Sequence, residues 1–120
     1  MKLTTKNKIQ YFKDCTHEWI KYFGLFEWEV HFDIETNEGV RATCYYDAQG
    51  RIATMCYQNK WIKEVKTKEE INRVTFHETA ELFLYFVYDP IKKHSNHDEA
   101  QEAVHRVIRF LENKILGQKT

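Results

Sequence analysis

The stretch FHETAE holds three groups able to do chemistry together, His77, Glu78 and Glu81. In the pattern H-E-x-x-H, two imidazoles one helical turn apart bind zinc, and the glutamate beside the first acts as general base. Here the fourth step carries a carboxylate, Glu81, where the second imidazole would stand. Zinc accepts imidazole nitrogen and carboxylate oxygen alike, so the exchange alters charge and geometry without abolishing coordination. On a helix His77 and Glu81 share one face and can share a ligand. Glu78 is then placed to take a proton from water. A catalytic zinc needs three protein ligands, and this stretch supplies two.

The final helical segment is the natural source of the third. His97, Gln101 and His105 follow at steps of four along the side of that segment adjoining its apolar stripe. His97 points nearest the core side and is the first choice of ligand, with His105 second. Glu102 points almost opposite the core and is expected to be solvated. Gln101 can donate a hydrogen bond to Glu81 with or without an ion. An iron or manganese site built from Glu81, Glu102 and His105 would need more facing helices than the chain offers.

These residues need elements to hold them. Ile9, Phe12, Cys15, Trp19, Ile20 and Phe23 recur at steps of three and four, an amphipathic helix over residues 4–23 that Gly24 ends. Trp28, Val30, Phe32 and Ile34 alternate with Glu29, His31, Asp33 and Glu35, the period of a strand with one wet face. The segment TNEG then turns the chain. RATCYYD and RIATMCY flank DAQG and read as a hairpin with Gly50 at a positive φ. Thr67 and Glu70 form a capping box that opens a helix from Lys68 to about Tyr88, where Asp89 and Pro90 stop it. After a loop PIKKHSN, Ser95 or Asn96 caps a last helix with the stripe Ala100, Val104, Val107, Ile108, Leu111 and Ile115, ended by Gly117. The expected fold is α+β, one domain over residues 1–120: an N-terminal helix, a small three-stranded antiparallel sheet, and the motif and C-terminal helices on one sheet face.

Composition agrees with a folded chain. Of 120 residues, 42% are hydrophobic and 15% aromatic, enough for one core and against disorder. Eighteen basic residues balance eighteen acidic ones, so net charge does not call for nucleic acid or an anionic membrane. The opening segment is too polar for a signal peptide and no stretch is long and apolar enough to span a bilayer, which places the expected protein in the cytoplasm. Three cysteines, Cys15, Cys44 and Cys56, without a C-x-x-C pair read as reduced thiols. His31 reads as a solvated or ion-paired residue. The lysines at 60, 63, 66 and 68 read as a solvated linker. Phe83, Tyr85, Phe86 and Tyr88 read as core or interface, and an all-round aromatic helix could bury a homodimer contact.

The segments WEVHFDI, RIATMCY, VTFHETAELFL and EAVHRVIRFLEN, in that order after an amphipathic helix, resemble the small metallopeptidase-like zincins, the group of SprT-like domains and short phage-encoded metallopeptidase-like proteins. The resemblance covers nearly the whole chain. It places the family's first histidine and glutamate on His77 and Glu78 and its second histidine on Glu81. The family's glutamate ligand from the following helix falls near Gln101. It implies a zincin fold and a zinc cofactor where the shell survives. With two shell positions exchanged, the favoured expectation is a degenerate zincin kept as a scaffold that binds a protein or peptide partner, for instance a phage-encoded modulator without metal. The alternative is an active metal-dependent peptidase or hydrolase with a His77, Glu81, His97 shell and Glu78 as base.

Overall fold

The computed structural model describes residues 3–117. Helix α1 (Thr5–Tyr22) is followed by strands β1 (Glu29–Glu35), β2 (Ala42–Asp47) and β3 (Ile52–Gln58), and then by helices α2 (Asn59–Glu64), α3 (Lys68–Phe83), α4 (Tyr85–His94) and α5 (His97–Ile115). Caps set the helix ends where the sequence signals them. Thr4 accepts from the Asn7 amide at 3.1 Å, Thr67 from the Glu70 amide at 3.2 Å and Asn96 from the Glu99 amide at 2.8 Å, each satisfying a donor that the first turn leaves open. Gly24, with φ +69°, closes α1: its amide reaches the Lys21 carbonyl at 3.1 Å and the Leu25 amide the Ile20 carbonyl at 2.9 Å. Buried Leu25 and Ile20 complete that motif.

The sheet is mixed, where an antiparallel one is expected. Its order is β1-β3-β2, with β3 antiparallel to β2 and parallel to β1. The least charged of the three runs therefore takes the centre, burying Ala53, Met55, Cys56 and Gln58, while β1 keeps Glu29, Asp33 and Glu35 at an edge. Charges at an edge also discourage pairing with other chains. Within the β2–β3 hairpin the left-handed residue is Arg51, with φ 55°, instead of the expected Gly50. Asp47 Oδ1 accepts from the Gln49 and Gly50 amides at 3.1 and 3.3 Å, a side-chain turn that displaces the left-handed step by one residue. The Arg51 guanidinium offsets the strain by lying 5.5 Å from the Trp28 ring and 5.3 Å from the Tyr85 ring and by bonding Tyr85 Oη.

Two further boundaries differ. The lysine-rich stretch after β3 is not a linker: residues 59–64 form α2, whose Ile62 is fully buried, although the lysines themselves are exposed. Gln58 caps it by accepting from the Trp61 amide at 2.7 Å, and the buried Lys8 ammonium holds its last turn through the Lys63 carbonyl at 2.9 Å. The motif helix breaks at Leu84 and not after Tyr88, and Pro90 lies inside α4. An aromatic run around a whole helix cannot bury itself along one straight axis. The break lets Phe83 stack on Phe23 at 4.9 Å, Tyr85 meet Trp28 at 5.6 Å and Leu84 enter the interhelical core. Pro90 is tolerated at an exposed position of a helix that buries none of its residues.

Helix α3 lies between two clusters. Ile71, Val74 and Leu82 join the sheet-side core with Phe12, Trp28 and Met55, and Phe76 and Ala80 join Val104 and Ile108 of α5. Phe12, fully buried, meets Phe32, Tyr57 and Trp61 edge-on at 5.5–6.4 Å. Replacing it by alanine is expected to cost about 3–5 kcal/mol. In urea titrations of both variants, Phe26→Ala, at a 75% exposed position, is expected to stay within about 0.5 kcal/mol of the parent.

Candidate metal centre

With both flanks of α3 committed to cores, one stripe of the helix stays partly open: Arg73, His77 and Glu81, at steps of four. It faces α5, which presents Gln101, His105 and Glu112. The two helices meet along a polar seam. Arg73 Nη1 bonds Glu112 Oε2 at 3.1 Å and Nη2 bonds the Gly117 carbonyl at 2.9 Å. Glu112 Oε1 faces His77 Nδ1 at 3.7 Å. His77 Nε2 lies 3.5 Å from Glu81 Oε2, and His105 Nε2 lies 3.5 Å from Glu81 Oε1.

One donor atom from each of His77, Glu81 and His105 lies within 4.8 Å of the others. The 3.5 Å separations exceed the ~2.7–3.2 Å of a hydrogen bond. They run to different oxygens of Glu81, so the carboxylate stands between the two imidazoles at a spacing that a zinc ion with bonds of about 2.0–2.2 Å can bridge. Two imidazoles and one carboxylate form a known catalytic donor set for that ion. The cluster is therefore compatible with a metal site. Its three side chains are 26–36% exposed, leaving one side accessible.

Glu78, one residue round the helix, is 9% exposed and lies against β2, lining a hollow with Thr43 and Cys44. Burial raises its pKa well above the ordinary value, and the charge of Glu81 and a hydrogen bond to it add to the shift; the Cys44 amide opposes it. Glu78 and Glu81 line a small hollow of about 210 Å³ with Thr43, Tyr46, Tyr88 and Gln101, whose Oε1 has no hydrogen-bond partner among the described residues. Cys44 also lines it, its thiol pushed far up by burial and by Glu78 and Glu81.

Of the residues singled out in the sequence, His77, Glu81 and His105 converge, and Glu78 sits beside them. His97 stands outside the cluster: it opens α5, and its Nδ1 shares a hydrogen bond with Tyr88 Oη. The structure brings His105, the second choice, beside His77 and Glu81 and leaves His97 apart, because α5 packs on α3 through Val104 and Ile108. Glu102 is solvated and paired with Arg106 at 3.1 Å, away from the cluster. His31 pairs with Glu29 on the open sheet face, and all three cysteines are free. Arg73 and Glu112 carry no motif signal. Arg73 was legible as the residue one turn before His77 on the same face, and Glu112 only once α5 is docked.

No family model, no curated protein and no solved structure matches the chain. The structure itself shows an α+β arrangement whose His77, Glu81 and His105 cluster is compatible with a metal-binding site. Among the described residues no helix is long and apolar enough to cross a membrane.

Two outcomes follow from the seam. Glu112→Gln removes the carboxylate facing His77 and is expected to weaken zinc binding about tenfold or more by calorimetry, while Arg106→Gln leaves it unchanged. In the metal-free chain Glu78 binds its proton more tightly folded than unfolded. Its contribution to stability is therefore complete below its ordinary pKa near 4.5 and is lost as pH rises through the raised value. Urea titrations from pH 5 to pH 8 are expected to show that loss, and Glu78→Gln is expected to flatten it.

Proposed function

We propose that this chain is a zincin-type, metal-dependent hydrolase acting on peptide bonds, with His77, Glu81 and His105 as the metal shell and Glu78 as general base. The observation that carries the reading is the meeting of three donors from two helices at coordination spacing. The set matches that of a His-His-Glu zinc site with two positions exchanged between helices. The carboxylate stands where the second imidazole of H-E-x-x-H would be, and the imidazole comes from the following helix. The sum of donors is conserved by the exchange.

A divalent cation held there supplies Lewis-acid polarisation of a substrate carbonyl and acidifies water. The remaining roles fall to the chain. Glu78 accepts the proton of the attacking water and returns it to the leaving amine, and its burial brings its basicity toward the range useful near neutral pH. The Cys44 backbone on the β2 side opposes the rise in its pKa. Glu112, itself held by Arg73, orients the His77 ring from its far nitrogen. β2 is an edge strand, so an extended peptide can pair along its free backbone groups and present a carbonyl beside Glu78.

A second reading has its own support: His77 and His105 flank the Glu81 carboxylate at 3.5 Å, a pairing of charges that needs no cation, as a scaffold that binds a protein partner would require. Metal content separates the two. The native chain purified without chelator is expected to carry close to one equivalent of zinc by mass spectrometry, and His77→Ala background levels only. Glu78→Gln is expected to retain the metal and lose about 10²–10⁴-fold in peptide cleavage. Background metal in the native chain overturns the hydrolase, and metal without turnover on any peptide leaves the scaffold.

A further inference from the structure

Next to the cluster lies a larger hollow of about 370 Å³, which shares Glu78 with the small one. Its walls are Val40 and Ala42 at the start of the edge strand, Val74 of α3, and the catalytic pair His77 and Glu78. Two arginines line it, Arg73 and Arg41, and they differ in what they already hold. Arg73 is 12% exposed and committed to Glu112 and to the Gly117 carbonyl. Arg41 is exposed and has no ion pair or side-chain hydrogen bond among the described residues. An unpaired guanidinium near Val40, Ala42 and Val74 favours a planar anion with a hydrocarbon stem, since the fork of N–H donors matches a carboxylate and the apolar side chains can cover the stem.

We infer that this hollow is a substrate subsite for a carboxylate, held by Arg41, so that the chain selects acidic peptides. The position supports it. Arg41 immediately precedes Ala42, the first residue of β2, and side chains of a strand paired along β2 alternate between its two sides. A glutamate or aspartate side chain near the bond presented to Glu78 therefore reaches the hollow, and a terminal carboxylate can do the same at the end of a chain. The resident carboxylates Glu78 and Glu112 disfavour a dianionic phosphate more than a singly charged group. The placement of a scissile bond rests on the hydrolase reading, but carboxylate binding by Arg41 does not.

The test measures binding apart from turnover. Fluorescein-labelled peptides alike except for Glu, Gln or Lys at one position, each with a free or amidated C-terminus, are titrated by anisotropy with the full chain in chelator, and cleavage is followed separately with added zinc. Glu peptides, or peptides with a free terminus, are expected to bind about tenfold tighter than their neutral counterparts. The arm that shows the preference identifies whether the carboxylate is internal or terminal. Arg41→Glu is expected to reverse the order in favour of Lys, and Arg41→Lys to retain it more weakly. Equal affinity for the three peptides regardless of terminus, no measurable binding of any, or an unchanged order in Arg41→Glu overturns the subsite. Acid-selective binding without cleavage keeps the subsite and removes the hydrolase; cleavage without acid selectivity does the reverse.

Discussion

A helix enclosed on nearly every side can keep polar groups only where something meets them. In α3 that place is the stripe of Arg73, His77 and Glu81, and what meets it is α5. Each polar group at that contact loses water as the helices close, so the contact is stable only when charge and hydrogen-bonding capacity are matched across it. Arg73 answers Glu112, Glu112 also faces His77, and Glu81 stands between two imidazoles. The arrangement is matched at the Arg73 end by direct hydrogen bonds and is left at wider spacing at the Glu81 end. That difference along one seam separates its hydrogen-bonded part from the part compatible with a metal ion.

The sheet contributes the other half of the site. Because β3 occupies the centre, β2 is an edge, and it is β2 that packs against α3 at Glu78. β2 thus lines the small hollow beside Glu78, and it lines the larger one with Ala42 and the two residues before it. Burying Glu78 opposes stability at neutral pH, and its neighbours Glu81 and Glu35 add to that opposition. A carboxyl kept in so unfavourable a place without structural need is the kind of local conflict expected at a working site.

Much of the fold was legible from local rules. Thr67 and Asn96 marked helix starts because their side chains satisfy amides within their own first turn, an interaction that needs no distant partner. Gly24 marked a helix end for the same local reason. The break at Leu84 was not legible, since helix propensity favours continuing through Tyr88 and only the separate destinations of Phe83, Leu84 and Tyr85 interrupt it. Nor was the strand order: alternation reports which face of a strand is buried, not which neighbour it pairs with.

The same division runs through the site. The sequence by itself determined the donor types, the one-turn spacing of His77 and Glu81, and the adjacency of Glu78, because covalent order and helical pitch set those relations. The tertiary structure alone chose His105 over His97, brought Glu112 to the back of His77, joined Arg73 to it and set Arg41 at the mouth of a hollow. These relations depend on the rotation and offset of α5 against α3 and on which strand lies at the edge. Both are settled by how Val104, Ile108, Phe76 and the sheet fill space together, a sum over contacts distant in the chain that no spacing rule contains.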